Sequence, residues 1–274
     1  MPELPEVETV LRGLTPHLIG KRLTGVRVRD HRLRWPVAAD LETRIKDRVV
    51  RSLARRGKYL LFHLDGPGSG SLIAHLGMSG SLRLCPVGLP PDKHDHLDLL
   101  LDDGLCLRLR DPRRFSAFLW SETPGLHPLL AHLGVEPLTD AFSGALLHTL
   151  CRGRKTSIKA LIMDARKVAG VGNIYANEAL FHAGIHPELA AGRLSHPRCD
   201  ALAAAIKDTL ARAIAAGGST LRDFVDGHGR PGYFQQTYYV YGRAGESCRV
   251  CGTAIRQMPQ GGRSTFFCPA CQRR

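Results

Sequence analysis

Residues 6–14, EVETVLRGL, place Val7, Val10, Leu11 and Leu14 at the i, i+3, i+4, i+7 spacing of an amphipathic helix. Thr15-Pro16 is expected to end it, because the residue before a proline is pushed out of helical φ/ψ. From about 20 to 120 the period shortens. Apolar runs such as KYLLFHLDG, GSLIAHLGMSGSLRL and HLDLLLDDGLCLRLRD alternate with turns, and DDG at 102–104 reads as a hairpin between two strands. Several short strands at regular spacing predict a sandwich or a barrel. From about 135 to 225 helical spacing returns. KALIMDARKVAGVGNIYANEALFHAG carries it on both sides of a Gly-rich turn, with Asn173 expected to cap the second helix. CDALAAAIKDTLARAIAAGG puts Leu202, Ile206, Leu210, Ala213 and Ile214 on one face, with Gly217 as C-cap. Residues 217–236 are Gly-rich and read as a loop. The pattern therefore divides into a β-rich domain over 1–134 led by one helix, a helical domain over 135–240 and a distinct segment over 241–274.

Composition narrows the class. The hydrophobic fraction of 43% suits a globular chain, and no apolar run approaches a membrane span. No signal peptide is evident, so a soluble, cytoplasmic protein with no membrane partner is expected. Lys plus Arg number 38 against 25 Asp plus Glu, a net charge of +13. An excess this large points to a polyanion, most often nucleic acid. It is clustered in RSLARRGK (51–58), in RGRKTSIK (152–159) and after Tyr241.

Four of the eight cysteines form Cys248-x2-Cys251 and Cys268-x2-Cys271, the spacing of a two-knuckle zinc site. Four thiolates close the tetrahedron, which makes the zinc structural. Arg256 and Arg263 lie between the knuckles, on an expected hairpin. Cys85, Cys106, Cys151 and Cys199 read as buried packing residues.

The remaining motifs each allow two readings. MPELPEVET sets Glu3 and Glu6 beside Pro2. It is either a helix start with acids on the dipole or, once Met1 is removed, a secondary amine beside an acid. An α-amino group titrates near ~8, against ~10.4 for lysine, so more of it is nucleophilic at neutral pH. AGVGN before a helix suits either a phosphate cradle or close helix packing. DPRRF offers Arg113, Arg114 and Phe115 for insertion into a base stack, or a solvated strand turn. HLGMSG, from His75 to Gly80, sets Met78 on a Gly-flanked turn, as an apolar wedge or a core side chain. In KHDH, His94 reads as a phosphate contact rather than a metal ligand, since no third ligand accompanies His94 and His96.

Taken together, MPELPEVETV, RRGKYL, HLGMSGSLR, KHDH, DPRRF, GVGNIYANEALF, YGRAGESCRVCG and GRSTFFCPACQ resemble the bacterial formamidopyrimidine-DNA glycosylase family over essentially the whole chain. The resemblance implies an α+β multidomain fold. Its parts are an N-terminal two-layer β-sandwich with a leading helix, a helix-two-turn-helix domain and a C-terminal four-cysteine zinc finger. It implies a monomeric bifunctional DNA glycosylase and AP lyase of base excision repair, acting on 8-oxoguanine and formamidopyrimidines in double-stranded DNA, with one structural Zn2+. By motif, Pro2 would be the nucleophile, Glu3 the acid that opens the sugar and Glu6 its support. Lys58 would contact phosphate and assist β-elimination, and Arg263 would grip phosphate and assist δ-elimination. His75, His94, Arg113, Arg154, Lys159 and Asn173 would bind DNA. Met78, Arg113 and Phe115 would fill the gap left by the extruded nucleotide, and 217–236 would cover the flipped base. Ser116 stands where the family usually has Gly. Two alternatives stay open: an endonuclease VIII-like glycosylase for oxidised pyrimidines, and a non-enzymatic zinc protein that binds damaged DNA.

Overall fold

The computed structural model describes residues 2–66, 68–217 and 238–274. The expected base-covering loop lies outside these residues, apart from Gly217. The chain divides into two compact units, one built on Met1–Ala131 and one on His132–Ala216 with Gln236–Arg274.

The first unit opens with α1 (Leu4–Leu18). The helix does not stop at Thr15-Pro16 but runs through Pro16. In the last turn a proline removes only one ladder bond, and the Ile19 N–H still closes on Thr15 O at 3.2 Å. Leu14 and Leu18, each 1% exposed, hold that turn in the core. There follow β1 (Leu23–Val28), α2 (Leu41–Ile45), β2 (Val49–Arg56), β3 (Tyr59–Asp65), β4 (Gly70–His75), β5 (Ser81–Pro86), β6 (Asp95–Leu101), β7 (Leu105–Arg110), β8 (Ala117–Ser121) and a short α3 (Pro128–Ala131). The strands make two antiparallel sheets, β1-β6-β7-β5 and β2-β3-β4-β8.

Alternation explains the layering. In β3, Leu60, Phe62 and Leu64 are buried while Tyr59, Leu61 and His63 are only half-buried on the opposite face. The inward rows of both sheets join α1 in one core that includes Val10, Leu14, Phe62, Leu72, Leu99 and Phe118. Strand β6 breaks the alternation because its second face is sealed by charge. Arg108 and Asp98, both fully buried, form a two-pronged pair at 2.8 and 2.9 Å, and Arg29 joins the same carboxylate. Burial pulls the Asp98 carboxyl upward, but the hydrogen bonds from Arg29 and Arg108 outweigh it and hold it below the usual range.

The second unit contains α4 (Gly144–Cys151), α5 (Ile158–Met163), α6 (Asn173–His182), α7 (His196–Ala215) and a hairpin of β9 (Arg256–Gln260) and β10 (Arg263–Phe267). Helix α4 lies so close to α7 that a Cβ on Gly144 would stand 1.9 Å from Asp200 Oδ1. Asn173 is the first residue of α6 rather than its cap; Gly172 takes the cap position. The four scattered cysteines are buried and pair off, Cys85 with Cys106 (Sγ to Sγ 3.5 Å) and Cys151 with Cys199. Burial pushes the Cys106 and Cys151 thiols up, so they stay protonated.

Candidate functional site

In the first unit the expected nucleophile and its acids stand at the start of α1. Pro2 is half-buried and precedes the cap residue Glu3. Glu3 and Glu6 are 2% and 1% exposed at the N-terminus of α1. They form a reciprocal capping box, in which the Glu3 N–H donates to Glu6 Oε2 at 2.8 Å. The stretch is a helix start, and the same start carries the two carboxylates of the other reading.

Lys58 lies on the tight turn between β2 and β3, where Gly57 takes φ +56°. Arg55 ties that turn to α1. Its Nε donates to Glu8 Oε2 at 2.9 Å and its Nη1 to Gly57 O at 3.1 Å. His75, at the end of β4, packs its ring 4.8 Å from that of Tyr59 and accepts the Gly77 N–H at Nδ1. Burial, then the charges of Lys58 and Arg34, push His75 down to about 4, so it is neutral at physiological pH.

Three loops of this unit carry the expected DNA contacts. Met78 is 42% exposed on the β4–β5 turn and Phe115 is 38% exposed before β8, so Met78 is not a core side chain. The Arg113 guanidinium lies over the Phe115 ring at 4.8 Å. Arg114 adopts φ +57°, unusual for a residue with a side chain, and pairs with Asp30 at 3.0 Å. His94 is half-buried, whereas His96 is buried with Nε2 against Asp111 O at 2.8 Å, so only His94 is presented.

In the second unit, Cys248, Cys251, Cys268 and Cys271 bring four sulfur atoms within 4.8 Å of one another. Two of the separations are 3.9 and 3.5 Å. A tetrahedron with Zn–S bonds of ~2.3 Å has edges of about 3.8 Å, so the four residues fit one Zn2+ with no open position. Within the knuckles, Val250 N–H and Cys271 N–H point at the Cys248 and Cys268 sulfurs.

The hairpin between the knuckles is docked by polar side chains. Asn173 Nδ2 donates to Ser264 O at 2.9 Å, and the Phe266 N–H donates to Asn177 Oδ1 at 2.9 Å. Lys159, expected at DNA, is instead 2% exposed, with Nζ on Thr265 Oγ1 at 2.6 Å. The helical period of α5 turns it inward beside Ile158, and its ammonium is used to hold β10. The buried Glu178 carboxylate accepts three N–H groups, from Tyr239, Val240 and Tyr241, at 2.8 to 3.0 Å. Arg263 and Arg154 remain exposed.

Family models match three consecutive segments: the formamidopyrimidine-DNA glycosylase N-terminal domain over 1–118, the H2TH domain of that enzyme over 133–225, and a zinc finger found in FPG and IleRS over 245–274. This chain belongs to the formamidopyrimidine-DNA glycosylase family. The formamidopyrimidine-DNA glycosylase of Methylococcus capsulatus is 58% identical over 274 residues, covering all of both chains. That of Pseudomonas entomophila is 56% identical over 273 residues, again with full coverage. Among solved structures, a mutant Lactococcus lactis Fpg in complex with Fapy-dG-containing DNA superposes with a TM-score of 0.90 at 33% identity, covering 100% of each chain. The Thermus thermophilus protein MutM (Fpg) gives 0.85 at 40% identity, covering 99% and 98%.

The chain is accordingly a DNA glycosylase and AP lyase of base excision repair with a zinc finger. Its glycosylase fold also depends on residues that sequence reading passed over. Glu8 and Arg55 were invisible as a pair because 47 residues separate them. Asn177 and Glu178 looked like an ordinary stretch of helix; their only signal was polarity on a helix that is otherwise buried all round.

Proposed function

We propose that this Fpg family member excises 8-oxoguanine and formamidopyrimidines from duplex DNA, using Pro2 as nucleophile once Met1 is removed. The observation that carries the reading is the pair of buried carboxylates held at the start of α1, the helix that Pro2 leads into. The Pro2 nitrogen forms a bond to C1′ as the bond from C1′ to the base breaks; the base leaves with that electron pair and takes up the proton that the Pro2 amine gives up. Glu3 donates a proton to O4′, the sugar ring opens, and the charge settles on an iminium nitrogen. That charge acidifies C2′–H. Loss of this proton breaks the C3′–O bond and releases one phosphate, and a second elimination breaks the C5′–O bond. Lys58, on its braced turn, assists the first elimination and Arg263 the second. Met78, Arg113 and Phe115 occupy the stack that the extruded nucleotide leaves, Arg113 facing the orphaned base, and His94, Arg154 and Asn173 contact DNA. The protein acts as a cytoplasmic monomer.

Borohydride trapping tests this. Mixing the protein with duplex DNA carrying 8-oxoguanine opposite C and adding borohydride is expected to give a covalent adduct that maps to Pro2, with Met1 absent. An adduct on a lysine, or cleavage that survives Pro2→Gly at full rate, would refute the assignment. A second reading, action on oxidised pyrimidines, is favoured by one solved neighbour, a Lactococcus lactis Fpg in complex with oxidised-pyrimidine DNA. Parallel trapping on a thymine-glycol duplex separates the two.

A further inference from the structure

Three loops of the first unit carry the proposed wedge and its neighbouring contact, and one residue joins them. Asp111 lies just past the end of β7 and is fully buried. Its Oδ1 accepts the Ser79 hydroxyl at 2.6 Å, one residue from Met78, and the Arg113 N–H at 3.2 Å. Its Oδ2 accepts the Ser116 N–H at 2.8 Å, one residue from Phe115. Its backbone completes the junction. The Asp111 N–H donates to His94 O at 2.9 Å, and Asp111 O accepts the Arg114 N–H at 3.2 Å and faces His96 Nε2 at 2.8 Å. No cation pairs with this carboxylate among the described residues; hydroxyl and amide donors hold it.

The loops are also pressed together sterically. A Cβ on Gly77 would stand 2.3 Å from the Phe115 carbonyl carbon, so the Met78 turn rests directly on the Phe115 backbone. Arg114 sits at φ +57°, a conformation that a side chain disfavours. The hydrogen bonds that hold it there are those to Asp111 from residues 113, 114 and 116. With these in place, the Arg113 guanidinium is already seated over the Phe115 ring without DNA.

We propose that Asp111 is a positioning residue that makes Met78, Arg113 and Phe115 a single pre-formed wedge. The proposal rests on the wedge reading given above. A charged carboxylate suits the task because ionised acceptors bind N–H and O–H donors more strongly than neutral ones, and here one group serves two loops at once. A pre-formed wedge spends no binding energy on ordering its side chains while the base leaves the stack. The replacement Asp111→Asn keeps the shape but sets an NH2 group against either the Ser116 N–H or the Arg113 N–H. Ser79→Ala removes only the bond to the Met78 turn.

The test compares single-turnover excision of 8-oxoguanine opposite C with cleavage of a preformed abasic site, which has no base to extrude. The ratio of the two rates is read for the wild type, Asp111→Asn, Ser79→Ala and the wedge variant Phe115→Ala. The ratio is expected to fall about tenfold or more for Asp111→Asn and about two- to threefold for Ser79→Ala, as one strong or one shared hydrogen bond is lost. 2-Aminopurine placed beside the lesion should show slower unstacking in the same order. A ratio that falls for Phe115→Ala but holds for both Asp111→Asn and Ser79→Ala overturns the positioning role. A ratio unmoved by Phe115→Ala overturns the wedge reading, and the proposal with it. Loss of both rates in equal measure, with a lowered melting temperature, assigns Asp111 to general stability and also overturns it.

Discussion

The Glu6 carboxylate holds the amide of Glu3, which fixes the backbone of the proposed acid. Glu6→Ala is expected to remove about 1–2 kcal/mol of stability as a lost cap and to slow borohydride trapping about tenfold, whereas Glu6→Gln, which keeps one acceptor, should retain most of the stability. Denaturant melts and trapping rates check both. His75 yields a prediction with a sign. Its native pKa of about 4 lies below its ordinary 6.5, so the unfolded chain binds the extra proton first. Its contribution to stability is therefore full above pH 6.5, declines as pH falls from 6.5 to about 4, and changes no further below that. His63, His127, His182 and His186 are also pushed down by burial and add to the slope. The measurement is thus the difference in unfolding free energy between wild type and His75→Gln across pH 4 to 7.5. A difference that stays constant with pH would contradict the burial argument.

Among the elements, those that carry their own period were legible. The alternation in β3 and the five-position apolar stripe of α7 are written in consecutive residues, and so is the two-knuckle cysteine spacing. What escaped was set by partners distant in sequence. Nothing in the order of residues says that Lys159 will turn away from solvent toward Thr265, 106 positions later, or that Pro16 will be carried through by the burial of Leu18. The brace between α1 and the β2–β3 turn is of the same kind. Arg55→Ala leaves Glu8 half-buried with Arg12 as its remaining ion-pair partner among the described residues and removes one tie to the turn that carries Lys58. Burial already pulls the Glu8 carboxyl upward against the hold of Arg55 and Arg12. The variant is expected to lose about 2–3 kcal/mol and to slow the first elimination more than base excision. Quantifying intact, β-eliminated and δ-eliminated strands on one gel reads both. For the hairpin, Lys159→Met should lower stability by about 1–3 kcal/mol and shift products from δ- toward β-elimination, as β10 and Arg263 lose their support. Unchanged product ratios would show that Arg263 needs no help from α5.

For the molecule as a whole, a net charge of +13 makes attachment to DNA an ion-exchange process. The logarithm of the affinity for undamaged duplex should fall linearly with the logarithm of salt concentration, and replacing Arg263 or Arg154, each proposed to contact DNA, by Ala should lower the slope by about 1. Asp111→Asn should leave that slope unchanged, because it alters the proposed wedge and not the count of phosphates neutralised. Stripping the zinc with a chelator should act on one unit and spare the other: DNA binding is lost with the hairpin, while the β-sandwich keeps its own cooperative melt.

The parallel bridge between Ile185 and Arg273, together with the three amides that Glu178 gathers from Tyr239 to Tyr241, has a consequence for how the molecule comes into being. The core of the first unit is assembled from residues 7 to 120, so it can close while translation continues. The second unit cannot close until residue 273 has been made, about ten to thirty seconds later at ribosomal speeds. For that interval a nascent chain carries Pro2, the proposed nucleophile, on a finished scaffold but lacks the zinc hairpin. Synthesis thus completes the unit that holds the proposed nucleophile before the unit that holds the zinc hairpin.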